Sequence, residues 1–132
     1  MAIQFSVTAR NDRLNAIETA IGTSPTLEIR TGAAPANCAA ADSGSVLATF
    51  TLPSDWLAAA ASGAKAIAGG PWQDTSADAT GTAAHFRVKA GATCHLQGTV
   101  GQGSGDLSLD NTSIVSGQTV SITAFTLTDG NA

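Results

Sequence analysis

His85-Phe86-Arg87-Val88-Lys89-Ala90-Gly91-Ala92-Thr93-Cys94-His95-Leu96-Gln97-Gly98-Thr99-Val100 is the stretch that decides the fold. Phe86 and Val88 alternate with His85, Arg87 and Lys89. Past Gly91, Cys94, Leu96, Gly98 and Val100 alternate with Thr93, His95, Gln97 and Thr99. Side chains of a strand point to opposite faces in turn, so two period-two runs about a glycine predict a β-hairpin. On this reading His85 and His95 face outward, and Cys94 points to the other side.

The same period spreads outward from the hairpin. Gly101-Gln102-Gly103-Ser104-Gly105 reads as a flexible tip, and Leu107 and Leu109 as a short strand. Val120 and Ile122 keep even parity while Phe125 and Leu127 are odd, which predicts a β-bulge near Ala124. Upstream, Val46, Ala48, Phe50 and Leu52 share one face of a strand, and Leu27-Glu28-Ile29-Arg30 alternates. Residues 64–68 suit a further strand. The stretch 32–44, which holds Cys38, reads as a long loop, and 73–82 as a polar loop beside Trp72.

Two segments carry helical signals. Asn11 offers an N-cap with Asp12 in the first turn, Leu14, Ile17 and Ile21 fall at helical spacing, and Gly22 then Pro25 close the run. This predicts an amphipathic helix over 11–21. Pro53-Ser54-Asp55-Trp56-Leu57-Ala58-Ala59-Ala60-Ala61 predicts a second short helix, capped by Ser54 and ended at Gly63. Ahead of both, Ile3, Phe5 and Val7 alternate with Gln4, Ser6 and Thr8, as in a short strand. The whole reads as mainly β: a single domain over 1–132, a jelly-roll-like β-sandwich with helical decoration, in which 1–9 forms an arm or edge strand.

Only 12% of the 132 residues are charged, the net charge is -4, and six residues are basic. That leaves no electrostatic footprint for nucleic acid or an anionic membrane. No apolar run approaches the ~20 residues that span a bilayer. The N-terminus has neither a basic region nor a long apolar one, which predicts a chain made in a cytoplasm, with Cys38 and Cys94 reduced during folding. Thr, Ser and Ala stand where Lys or Glu ordinarily guard sheet surfaces, which suggests surfaces covered by neighbours.

Residues able to do chemistry are few and scattered. His85, Cys94, His95 and Cys38 are zinc-ligand types, but neighbours on a strand diverge, so a buried thiol and two imidazoles at a surface or interface explain them better. Asp106, Asp110 and Asp129 suit turns and caps better than a calcium loop. Ser54-Asp55 with either His has the residue types of a hydrolase triad without a nucleophile elbow. No metal, cofactor or catalytic residue is expected. Trp56 and Trp72 read as core or interface anchors.

Four segments resemble a known group: Asn11-Asp12-Arg13-Leu14-Asn15-Ala16-Ile17-Glu18-Thr19-Ala20-Ile21-Gly22; Leu27-Glu28-Ile29-Arg30-Thr31-Gly32-Ala33-Ala34-Pro35-Ala36-Asn37-Cys38; Leu52-Pro53-Ser54-Asp55-Trp56; and Phe125-Thr126-Leu127-Thr128-Asp129-Gly130-Asn131-Ala132. Together they resemble small structural proteins of tailed bacteriophages and prophages, most nearly a capsid cement (head decoration) protein. The resemblance implies a non-enzymatic virion component on the outer capsid surface. Its partners would be the major capsid protein and copies of itself, as dimer or trimer, and it would bind neither nucleic acid nor membrane. Ile3, Phe5, Val7, Trp56 and Trp72 are the partner-binding candidates, the first three through strand addition to a neighbour. A tail- or fibre-associated module that binds a receptor or glycan is the alternative, carried by Trp56, Trp72 and the loop 73–82. A small hydrolase or metal protein is a third, and it requires His85 and His95 to converge.

Overall fold

A computed structural model describes residues 3–129. One helix, α1 (Val7–Ile21), precedes ten strands: β1 (Thr26–Arg30), β2 (Val46–Thr51), β3 (Ala64–Ala66), β4 (Gln73–Asp74), β5 (Gly81–Thr82), β6 (His85–Ala90), β7 (Thr93–Gly101), β8 (Leu107–Leu109), β9 (Ser113–Ile114) and β10 (Val120–Thr128). Eight of them form one sheet in the order β2-β1-β6-β7-β8-β10-β3, with β4 also paired to β10, and β5 and β9 make a separate pair. The sheet curls into a half-barrel, so the fold is mainly β and of β-sandwich, jelly-roll-like character.

The expected hairpin is β6–β7, and it lies near the middle of the sheet. Phe86 and Val88 pair with Ile29 and Leu27 on one side and with Gly98 and Leu96 on the other, which sets one continuous apolar face. Gly98 is required there: a Cβ on it would stand 2.8 Å from the Phe86 ring. The bulge expected near Ala124 is present, as the β8–β10 register shifts between Ile122 and Ala124. It turns Phe125 inward after Val120 and Ile122, and all three are buried. A row of rings, Trp56, Trp72, Phe125 and Phe86, crosses the core at centroid spacings of 6.1, 6.0 and 5.5 Å. Both indole N–H groups find carbonyls, Trp56 on Gly22 (3.0 Å) and Trp72 on Ala68 (3.1 Å), as buried indoles must.

Three expectations are corrected. The alternation at 3–8 is not a strand: 3–6 carries no regular structure, and α1 begins at Val7 instead of Asn11. Met1 and Ala2 of the expected arm lie outside the described residues. Ser6 is the N-cap, its hydroxyl accepting from the Ala9 N–H at 3.1 Å. A period-two pattern needs a partner strand, whereas a capped helix is satisfied locally. Gly22 closes the helix as expected, its N–H bonding to the Glu18 carbonyl.

The second correction is the orientation of α1. Leu14 and Ile21 are buried, but Ile17 is exposed, and the inward side also carries Arg10, Asn11, Asn15 and Glu18. The third follows from it. Residues 54–62 form no helix; Leu57 and Ala61 instead bridge Ile67 and Ala64, in a hairpin that leads into β3. The backbone N–H groups of Leu57, Ala60 and Gly63 donate to Glu18 Oε1 (3.3 Å), Asn15 Oδ1 (3.0 Å) and Asn11 Oδ1 (2.9 Å). Positions 11, 15 and 18 share one side of a helix, so their acceptors meet every third N–H of the segment running beside them. Alanine's helix propensity, at most ~1 kcal/mol per residue over glycine, yields to this set of tertiary bonds.

Lys65 anchors the same seam. It is 1% exposed, and its ammonium reaches Glu18 Oε2 (2.7 Å), Asn15 Oδ1 (2.8 Å) and the Ala58 carbonyl (2.7 Å), so all three donors are met. Asn15 thus serves both a backbone N–H and a buried cation. Asn15→Ala is expected to cost about 2–3 kcal/mol in urea unfolding, against about 1 kcal/mol for the cap change Ser6→Ala. Equal losses in the two variants would show that the inward polar side of α1 is not what holds it.

Candidate interaction surface and buried polar face

The face of β6 opposite the core is buried as well. His85, Arg87 and Lys89, which parity places together, are each at most 9% exposed. This corrects the outward placement of His85: the loop 32–44 lies across that face. Arg87 donates through Nη1 to Asp42 and through Nη2 to the carbonyls of Asn37 (3.3 Å), Cys38 (3.0 Å) and Ala40 (3.1 Å). His85 Nδ1 meets the Gly32 carbonyl at 2.7 Å, so that nitrogen carries the proton. Gln97 Nε2 donates to the Pro35 carbonyl at 2.7 Å. Asn37 shapes the turn, its side-chain oxygen accepting from the N–H groups of Ala39 and Ala40. Gly44, at φ +67, ends the loop where a Cβ would fall 2.0 Å from the Thr31 carbonyl oxygen.

Two carboxylates serve three cations here, leaving one positive charge in excess. Asp42 contacts Arg30, Arg87 and Lys89, and Glu28 contacts Arg30 and Lys89. The Lys89 ammonium, ahead of Arg87 and the field of Arg30, holds the Asp42 carboxyl below its ordinary value of 3.8 against the opposing effect of burial. Burial would pull Lys89 and Arg87 down, but their carboxylate partners outweigh it, and both are raised. Arg87 Nε, His85 Nε2 and Gln97 Oε1 are buried without a hydrogen-bond partner, but the ion pairs and the Arg87 bonds to the loop carbonyls make the cluster a structural tether.

β7 departs from its expected parity. Val88 pairs with Leu96 but Lys89 pairs with Cys94, so His95 is the extra residue of a bulge. Cys94 therefore joins the face of Lys89, beneath the loop, and His95 is exposed. Among the described residues, no three His, Cys, Asp or Glu side chains are grouped as metal ligands would be. The loop acids act locally: Asp106 Oδ2 accepts from the N–H and hydroxyl of Thr99, Asp110 Oδ1 from the N–H groups of Asn111 and Ser121, and Asp129 pairs with Arg13.

The partner-binding candidates separate into two groups. Trp56 and Trp72 are 0% and 2% exposed and belong to the core, so neither ring is presented to a ligand in this fold. Ile3, Phe5 and Val7 are 75%, 37% and 50% exposed and lie together at the start of α1, with Arg13 stacked over the Phe5 ring at 4.1 Å. The tethered loop was not legible as a unit, although Asp42 within a Gly/Ala/Ser run facing Arg30, Arg87 and Lys89 is the signal that points to it. Comparison with protein-family models, with curated proteins and with solved structures gave no match.

Asp42→Asn keeps the shape of the side chain and removes the charge. At neutral pH it is expected to cost about 2 kcal/mol, below the usual loss for a broken buried pair because the carboxylate is 35% exposed. A carboxyl depressed in the folded state stabilises above its ordinary pKa, and that contribution is lost as pH falls through the folded value. The gap between parent and variant should therefore narrow below about pH 3.8. Urea midpoints across the acid range measure this, and a gap independent of pH would assign the loss to packing alone.

Proposed function

We propose that this chain is a non-enzymatic structural protein of a tailed-bacteriophage virion: a cement protein that binds the outside of the major capsid shell, beside further copies of itself. The N-terminal segment is the part that grips. The observation that carries this reading is the clustering of Ile3, Phe5 and Val7, exposed, beside a helix whose polar side is turned inward. Ile3 and Phe5, on a segment without regular structure, with Val7 at the first position of α1, present apolar side chains suited to a neighbour's sheet edge or groove. The resemblance of the four segments to phage structural proteins supplies the partner.

The charges support the same reading. All six basic side chains are engaged within the chain: Arg10 on Asp129 and Ser62 carbonyls, Arg13 on Asp129, Lys65 on Glu18, and Arg30, Arg87 and Lys89 in the loop cluster. Contacts to a shell would desolvate few cations. The glycan-binding alternative loses its aromatic anchors, since both tryptophans are core residues.

The test removes residues 1–5, ahead of the Ser6 cap. The shortened protein should keep its circular dichroism spectrum and cooperative melt. It should no longer decorate phage heads that lack the protein, whereas the full chain gives ordered density between capsomers by cryo-electron microscopy. Decoration by the shortened protein would move the contact elsewhere, and bare heads with the full chain would refute the cement reading itself.

A further inference from the structure

Cys38 and Cys94 are far apart in sequence, and two separate devices bring them to one groove. Cys38 sits in the turn opened by Asn37, and its carbonyl is fixed by Arg87 Nη2 at 3.0 Å. Cys94 reaches the same face because the bulge at His95 resets β7, and its thiol lies 3.6 Å from the Leu96 carbonyl. The two thiols line one surface groove with Ala39, Asp42, Arg87 and Thr93, and both cysteines are free and half-buried. Burial first, then the hydrogen bond and charge of Cys94, push the Cys38 thiol up to about 11, against the pull of the Arg87 guanidinium.

We propose that Cys38 and Cys94 form a redox-reversible cross-link site, whose oxidant is a small disulfide of the glutathione type and whose product ties the 32–44 loop covalently to β7. One cysteine thiolate attacks the small disulfide, giving a mixed disulfide and releasing one small thiol. The second thiolate displaces the other small thiol and closes the Cys38–Cys94 bond. The protein dithiol is oxidised, the small disulfide is reduced to two thiols, and the two cysteine protons end on them. Half-burial leaves the groove open to such a reagent.

The environment sets the rate and the durability of the bond. Attack by Cys38 is slow at neutral pH, where roughly one in ten thousand of its thiols is ionised, and quickens as pH rises. A thiol of high pKa is also a poor leaving group, so the closed bond resists reduction. The link would fasten the same loop that Arg87 and Asp42 already hold, and it does not depend on the cement reading.

The experiment treats the full chain with oxidised glutathione at mildly alkaline pH, then measures intact mass, maps the peptides and records the melt. The expected product has lost two hydrogens, carries the Cys38 and Cys94 peptides joined, reverts with dithiothreitol, and melts about 10 °C higher than the reduced chain. Cys38→Ser should gain no such rise. Two glutathione adducts on one chain, two thiols left unreacted, a bond between separate chains, or a cross-linked chain that melts no higher than the reduced one would each overturn the proposal.

Discussion

A guanidinium sealed beneath a loop is the constraint on which the rest of this structure depends. Arg87 stands on a central strand and is 1% exposed. Removing such an ion from water costs several kcal/mol, and only close acceptors offset that. Asp42 and the carbonyls of Asn37, Cys38 and Ala40 provide them, which ties residues 37–42 to one path. A stretch of Ala, Pro, Asn and Ser, with little to bury and much backbone entropy to lose, becomes ordered because the cation under it has a fixed fork of donors. The gain lies less in net stability than in specificity: the loop has a single place to go, and β6 is buried on both faces.

The same logic recurs at the other end of the sheet on a smaller scale. Lys65 is sealed between α1 and the hairpin before β3, and the side chains that satisfy it also cap that hairpin's backbone. Both ends of the sheet order are thereby closed. The free side of β2 is met by the 74–79 segment, where Asp74 accepts from Thr49 N–H and Asp78 N–H donates to the Leu47 carbonyl. The 57–61 segment shields β3, and α1 shields that segment in turn. Covered edges are how a β-rich chain avoids pairing with its own copies at random.

What the sequence disclosed, and what it hid, divides along this line. Strands whose partners are other strands were legible: the parity of Phe86 and Val88 gave the hairpin, and the parity change between Ile122 and Phe125 gave the bulge. Elements whose partners are side chains were not. Ala58–Ala61 read as helix because propensity is local, while the acceptors on Asn11, Asn15 and Glu18 that claim the neighbouring N–H groups are some 45 residues away. Ile3, Phe5 and Val7 read as a strand because alternation carries no information on whether a partner exists. Cys94 was assigned to the wrong face because one inserted residue, His95, breaks the parity between it and Leu96, while Leu96 and Gly98 keep the expected face. The exposed trio was legible as a candidate surface, and the burial of both tryptophans was foreseen only in their reading as core anchors.

A chain with so few charges would ordinarily risk indiscriminate association. Here the sheet ends are covered and the tryptophans fill the core, which removes two common sources of unspecific contact. Against that background a short run of exposed Ile, Phe and Val next to a capped helix is an exception. Exposed apolar side chains scattered singly need no explanation, but three within five residues, on a segment that takes no part in the chain's own sheet, amount to a surface that the fold leaves unfilled. On the proposed reading, a partner that supplies an apolar groove or a sheet edge would complete it, and the placement at one end of α1 would let that partner engage without disturbing the tethered loop or either covered edge.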